Sequence, residues 1–357
     1  MIKIVQLVTQ MEAGGAQRVA MLLGDALRQQ GYDAEVWFLY LKRPTYRDVP
    51  GVRVLLDHKP SKLDYLKIGI KLQKMLKQHQ PDMLITHTHY ANIMGQAIAK
   101  FCTIPRRVAV QHNPVETYPQ VARWLDRILG STNFYTANIA VSQVVVDSVV
   151  KYPAKYQKYV QKIHNGIPVL TRQQDLDHVR SRWNLPAQVP LLINVGRLAR
   201  QKNHQTLIEA IRSIPTAHLI LIGEGELRAD LEQQVARLQL EQRVHFLGEI
   251  SSEAVLDLLC IADVFVFPSR YEAMPMALVE AMGLGLPIVG GDIPAMREVL
   301  SDAGILAPSE NAAEIASAVR RILDNPELAS NLRQSSLQRS TLFSVEKMVA
   351  SYERLFN

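Results

Sequence analysis

Two cations and two carboxylates stand at spacings that suit an anionic ligand. In Asn194-Val-Gly-Arg-Leu-Ala-Arg-Gln-Lys-Asn203 an apolar run closes on Gly196, and Arg197 and Lys202 follow before a helical pattern over about 204–214. Arg197 offers a planar fork matching two oxygens of a phosphate, and Lys202 a compact point charge. Just past the end of a strand, such a pair suits a diphosphate. A second segment, residues 263–298, carries the apolar run 264–267, Pro268, a loop with Arg270, Tyr271 and Glu272, and a helix start near Met274-Pro275, because proline suits a first helical turn. The free backbone N–H groups of that turn form an anion site, and Glu280, about two turns on, offers a carboxylate to hydroxyls. Its neighbours Leu278, Val279, Ala281 and Met282 are apolar, so a partner is expected for that carboxylate.

These residues need parallel sheets to position them. Short apolar runs alternate with helical patterns throughout: 2–8, 34–40, 52–55, 83–86, 107–111 and 139–142 in the first half, then 191–195, 218–222, 244–247, 264–267, 287–290 and 305–307. The stretch 16–29 places Val19, Leu22, Leu23, Ala26 and Leu27 on one helical face before Gly31 ends it. Two doubly wound α/β domains follow. The boundary falls near His164-Asn-Gly-Ile-Pro168, ahead of the polar stretch 171–182. Ligands of such folds lie at the carboxyl ends of strands, so a cleft between the halves is expected to hold the chemistry.

Composition narrows the classes. A chain of 357 residues, 48% hydrophobic and 21% charged, is too long for one core. Its net charge of +6 averages two unlike halves: residues 1–170 hold 22 basic and 11 acidic side chains, residues 171–357 hold 18 and 23. An anionic partner is therefore expected to meet the first half only. The two cysteines, Cys102 and Cys260, lie one in each half among apolar residues, which fits buried thiols in the cytoplasm rather than a disulfide or zinc site. The N-terminal apolar run is too short for a signal peptide and reads as a strand, and no run nears the roughly 18 apolar residues of a membrane span.

Further marks combine into a resemblance. They are Gly14-Gly15 followed by Arg18, His87-Thr-His89, a strand ending at His112-Asn113, the turn Asn165-Gly166-Ile167, the element with Arg197 and Lys202, and Glu272 separated by seven residues from Glu280. Together they resemble the GT-B glycosyltransferases, specifically the retaining group classed as family 4, over nearly the whole chain.

The resemblance implies two Rossmann-like domains facing each other across a cleft. The first is an acceptor-binding domain of residues 1–168, joined by a C-terminal helix at 342–357 that crosses back to it. The second is a nucleotide-sugar domain of residues 169–341. It implies that Arg197 and Lys202, with Gly196 beside them, bind the donor diphosphate and stabilise it as leaving group. Glu280 would hold the ribose hydroxyls, and Glu272 would face the transferred sugar. The backbone of Ala273, Met274, Pro275 and Met276 would lie near sugar and phosphates, and Gly14 and Gly15 would approach the phosphates from the first domain. His112 would act near the sugar and acceptor, with His89 and Asn113 on the acceptor side. Alanine at 273 departs from the Glu-Gly usual there; a loop needing positive φ at that position would have an altered sugar subsite.

The expected reaction is retaining transfer from a nucleotide sugar, UDP-linked on family frequency, to a glycan, glycolipid or lipid-linked hydroxyl. Gly14-Gly15 is not a dinucleotide fingerprint. Asp175-Leu-Asp177 mimics a metal-binding DxD but sits in a helix-like polar stretch, so no essential metal is expected. A nucleotide-sugar epimerase of the same fold is the first alternative; a glycan phosphorylase lacks an identifiable pyridoxal phosphate lysine. A basic membrane- or nucleic-acid-binding module is the other alternative, but nucleic acid is disfavoured by the lack of interleaved aromatics and by the acidic second half. Residues 61–79 interleave Lys62, Lys67, Lys71, Lys74 and Lys77 with Leu63, Leu66, Ile70 and Met75, which predicts a helix resting on anionic lipid and a peripheral place on the cytoplasmic membrane face.

Overall fold

The computed structural model describes residues 1–170 and 176–356. The chain divides into two units, Met1–Pro168 with Ser344–Asn357, and Val169–Phe343. The first contains a parallel sheet of β1 (Lys3–Met11), β2 (Asp33–Leu41), β3 (Val52–Val54), β4 (Met83–His87), β5 (Arg106–Gln111), β6 (Ala137–Ala140) and β7 (Val160–Lys162), in the order β3-β2-β1-β4-β5-β6-β7. The second contains β8 (Leu191–Val195), β9 (His218–Ile222), β10 (Val244–Gly248), β11 (Val264–Phe267), β12 (Ile288–Gly291) and β13 (Ile305–Ala307), in the order β10-β9-β8-β11-β12-β13, again all parallel.

Helices cover both faces of the first sheet, which is why its central strands read as nearly unbroken apolar runs. Val5, Leu7, Trp37 and Leu39 pack with Ile68, Leu72 and Leu76 of the Asp64–His79 helix, while Val8, Val36 and Phe38 pack on the other side with Ala20. In the second unit Leu192, Leu219, Leu221 and Val266 share one core with Leu207, Ile211, Ile315 and Val319.

Strand order reverses at β1/β4 and at β8/β11. A reversal sends the following helices to opposite faces and opens space at the carboxyl ends of the two strands. Most of the chemistry-bearing motifs lie there: the Gly14 turn after β1, His87 and His89 at the end of β4, the Gly196 turn after β8, and the Arg270 loop after β11; His112 follows the neighbouring β5.

Some boundaries differ from expectation. Pairing of Val108 with Ala137 through Gln111 with Ala140 sets β6 two residues earlier than the run 139–142, leaving Ser142 as N-cap of the next helix. Strand β7 has no apolar run to mark it in the sequence, being a short edge strand half-buried only at Val160. The helix after β11 starts at Met276, so Pro275 is its N-cap and not its first residue. The His204–Arg212 helix stops two residues short of 214.

Within the first unit, Ile167 forms a bridge with Ser344, and Val345 N donates to Ile167 O at 3.0 Å. A Cβ on Gly166 would lie 2.5 Å from the Ser344 carbonyl oxygen, so the Asn165-Gly166-Ile167 turn is built for close passage of the returning chain. The helix Val345–Glu353 then docks, with Tyr352 buried and Glu353 accepting from the Tyr32 hydroxyl at 3.0 Å. Both cysteines are thiols; Cys260 is buried and Cys102 only half-buried. Among the described residues no helix is long and apolar enough to cross a membrane.

Candidate active site

In the second unit the turn after β8 and the loop after β11 are stitched together. Arg270 N donates to Gln201 O at 2.9 Å, Gln201 Nε2 to Tyr271 O at 2.8 Å, and Arg270 NH1 to Arg200 O at 2.7 Å. Arg270 is fixed in turn by a bidentate pair with Glu310 at 2.5 and 3.0 Å. This brings Lys202 Nζ to 2.6 Å from Glu272 Oε1 and 4.5 Å from the Phe267 ring centroid. The side chains are 16% and 7% exposed, so this pair is shielded in a way surface pairs are not. Arg197 is exposed and makes no side-chain hydrogen bond or ion pair among the described residues. Its fork is available to a ligand.

The rest of this cluster is packed. Ala273, Met274, Pro275 and Met276 are buried, and Glu280 is 2% exposed in the helix Met276–Gly283. No side chain caps that helix, so its first N–H groups remain for an anion. Ala273 is absent from the residues with positive φ, so alanine is accommodated here without strain. Beneath the turn, Asn194 Nδ2 donates to Val266 O at 2.7 Å, and its Oδ1 lies 3.0 Å from His204 Nε2. Burial first, then the Lys202 charge, lowers the His204 pKa to about 4.

In the first unit the histidines at the ends of β4 and β5 are neutral, while the charged groups at the strand ends, Glu12 after β1 and Lys42 after β2, pair with each other at 2.6 Å. His87 Nδ1 lies 2.9 Å from His112 Nε2, and His87 Nε2 lies 3.0 Å from Gln6 Oε1. Burial lowers both histidines, His87 well below its ordinary value with help from His112, and His112 to about 4. His89 begins the helix His89–Phe101 between the rings of Tyr90 and Tyr118, with centroids 4.3 and 4.9 Å away, and burial lowers its pKa too. Asn113 is exposed, its carbonyl accepting from the Tyr118 hydroxyl at 3.2 Å. Gly14, the N-cap of Gly15–Gln29, is extended at φ −164°, and a Cβ on Gly15 would meet nothing within 4 Å. Neither glycine is required by its backbone; Gly15 faces open space.

Several structural partners were missed from sequence. Gly223, at φ +132°, and Gly225 would each drive a Cβ into backbone, 2.2 Å from Gly196 O and 2.3 Å from Leu198 O respectively. They let the loop after β9 lie against the Gly196-Arg197 turn, and the Gly-Glu-Gly spacing after an apolar run was the available signal. Thr88, between the two histidines, holds φ +74°, an outlier for a β-branched residue, and its hydroxyl bonds to Thr9 Oγ1 at 2.5 Å. Nothing local in sequence announces that strain. Asp175 lies outside the described residues, while Asp177 sits in the first turn of Leu176–Arg182. Among the described residues no group of three or more His, Cys, Asp or Glu side chains is placed to hold a metal.

Residues 13–169 match the family model of glycosyltransferase family 4, and residues 177–339 that of the glycosyl transferases group 1. With two Rossmann-like domains carrying these motifs, the chain belongs to the family 4 glycosyltransferases of GT-B fold, a class of transferases. An uncharacterized glycosyltransferase of Methanocaldococcus jannaschii is 27% identical over 66% of this chain and 62% of its own length. A GDP-mannose-dependent alpha-(1-6)-phosphatidylinositol dimannoside mannosyltransferase of Mycobacterium tuberculosis is 34% identical over 48% of this chain and 45% of its own. The chain thus spans less than two thirds of either relative. The crystal structure of Anabaena HepE with UDP and glucose has the same fold, with a TM-score of 0.88 at 20% identity over 100% of this chain and 99% of that one.

Proposed function

We propose that the protein is a retaining glycosyltransferase that moves a sugar from a nucleoside diphosphate sugar, UDP-linked in the first instance, to a hydroxyl of a glycan, glycolipid or lipid-linked acceptor. Its place is cell-surface polysaccharide or glycolipid biosynthesis, on the cytoplasmic face of a membrane. The observation that carries this reading is the shielded Lys202–Glu272 pair at 2.6 Å, with exposed Arg197 in the same turn and an uncapped helix start at Met276.

In the reaction, the bond from the anomeric carbon to the diphosphate oxygen breaks and its electron pair leaves with the diphosphate. The acceptor oxygen bonds to the anomeric carbon, and the hydroxyl proton is released with the nucleoside diphosphate. Arg197 and Lys202 take up the charge that grows on the leaving group, a role that requires donors already in place. Glu280 holds the ribose hydroxyls, Glu272 the transferred sugar, and the backbone at Ala273, Met274, Pro275 and Met276 lies along sugar and phosphates. Gly14 and Gly15 give a phosphate backbone contact without side chains, and His112, with His89 and Asn113, meets a sugar or acceptor hydroxyl. With two cations on the diphosphate, no divalent metal is assigned; turnover undiminished by EDTA is expected.

UDP in the HepE complex supports a UDP-sugar, and the mannosyltransferase relative makes GDP-mannose the competing donor to include. That relative also supports a lipid-linked acceptor. The test is a donor screen that reads nucleoside diphosphate release. Release from a UDP-sugar is the expected result; no release from UDP-, GDP- or ADP-sugars, with or without lipid and glycan acceptors, overturns the reading.

A further inference from the structure

The Ala20 carbonyl can only accept a hydrogen bond, and Gln6 Nε2 donates to it at 2.8 Å. That orientation leaves Gln6 Oε1, another pure acceptor, facing His87 Nε2 at 3.0 Å, so His87 carries its proton on Nε2. A neutral imidazole has one N–H, and therefore His87 Nδ1 presents a lone pair. It sits 2.9 Å from His112 Nε2, which must be the N–H of that contact. Gln6 and His87 are fully buried, which keeps water from offering either of them an alternative partner, and His112 is 9% exposed. Burial also holds both rings neutral.

We infer that Gln6 and His87 are positioning residues that fix His112 as the tautomer protonated on Nε2, leaving its Nδ1 lone pair to accept a hydrogen bond from a hydroxyl. The direction starts at a helix carbonyl and passes along three side chains to the end of β5. His112 then selects by hydrogen-bond polarity: a sugar or acceptor hydroxyl can donate to Nδ1, whereas a phosphate oxygen there would face a lone pair. This deepens the proposed function, since it takes the ligand of His112 to be a sugar or acceptor hydroxyl, but the tautomer itself does not depend on that function.

The test is long-range ¹H–¹⁵N correlation on the full chain labelled at histidine, at neutral pH, for the wild type, His87→Leu and His87→Asn. The wild type is expected to show His112 with Nε2 protonated and Nδ1 bare. In His87→Leu the acceptor is gone, so His112 distributes between tautomers and UDP release from UDP-glucose falls about tenfold, the scale of one hydrogen bond. In His87→Asn the amide oxygen accepts from His112 Nε2–H, and both the tautomer and most of the turnover return. A wild-type His112 that is cationic or protonated on Nδ1 overturns the inference, whether or not the variants fold. So does a folded His87→Leu chain with unchanged tautomer and turnover. A chain with the expected tautomer but no transfer from any donor overturns the proposed function and leaves the relay standing.

Discussion

The two units solve one positional problem with opposite electrostatics. Each places a buried histidine beside a carboxamide at the point where strand order reverses: His87 with Gln6 in the first, His204 with Asn194 in the second. Around this shared frame, the basic first unit has neutral imidazoles, while the acidic second unit has Lys202, Glu272 and exposed Arg197. Net charge and site charge are therefore independent properties. The +11 balance of residues 1–170 lies outside the His87–His112 cluster, and the −5 balance of the remainder does not prevent two cations from gathering at one strand end.

The largest effect expected is on the charged side of this contrast. Lys202→Ala removes a cation from the leaving group and strands the buried Glu272 carboxylate; turnover should fall about 10²–10³-fold with the fold retained by circular dichroism. Near-normal release of nucleoside diphosphate would erase the contrast, because the second unit would then not act through charge.

The neutral histidines common to both units are probed by acid. His112 and His204 have folded pKa values of about 4 against 6.5 for the free side chain. Between those values the unfolded chain binds protons that the folded chain refuses, so stability is full above pH 6.5 and is lost as pH falls towards 4. Each histidine should account for roughly 3 kcal/mol of the difference between pH 7 and pH 4. Urea unfolding across this range should give a shallower loss for His112→Gln and for His204→Gln; a wild-type slope in both would show that neither imidazole is held neutral.

Glycines sharpen the comparison at smaller scale. Gly223→Ala must push a Cβ against Gly196 O at positive φ, costing about 2 kcal/mol in stability. Gly15→Ala meets open space at the start of a helix and should be neutral or stabilising by about 0.5 kcal/mol. A fall in turnover for Gly15→Ala with unchanged Tm would then report a ligand contact, whereas unchanged turnover would remove Gly15 from the donor's path.

The legibility of these features follows from their range. Strands β8, β9, β11 and β13 were readable to the residue because buried parallel strands are unbroken apolar runs between turns. The Lys202–Glu272 pairing joins residues 70 apart, yet both members stood out by type and by their place after a strand. The histidine relay did not. His87 reads as one more strand-end histidine, and Gln6 as a polar interruption in β1. Their meaning comes from β1 lying beside β4, and β4 beside β5, which only the sheet order supplies. Gly223 and Gly225 likewise gain their role from the backbone they approach.

The smallest effect, and the one that returns to the first unit's excess charge, concerns the Asp64–His79 helix. Its Ile68, Leu72 and Leu76 face the core, as a surface helix requires. Leu63, just before it, and Leu66 and Ile70 within it are 77%, 69% and 62% exposed, roughly opposite that core face. Met75, expected among them, is half-buried against the core instead. Lys62, Lys74 and Lys77 are exposed along this element, while Lys71 bonds to Leu55 O at 2.6 Å and Lys67 pairs with Asp64 at 3.3 Å. An exposed apolar stripe among lysines suits an anionic lipid surface. A second amphipathic helix, Gln120–Ser131, exposes Val121, Trp124 and Ile128 in the same unit, a feature the sequence pattern had not singled out. Each lysine near such a surface contributes about 1 kcal/mol, so Lys62→Ala, Lys74→Ala and Lys77→Ala should each weaken co-sedimentation with anionic vesicles about fivefold at low salt. Neutral vesicles should recover far less protein. Equal recovery on both vesicle types would mean that the first unit's positive charge has no membrane role, and the contrast between the units would reduce to their strand ends.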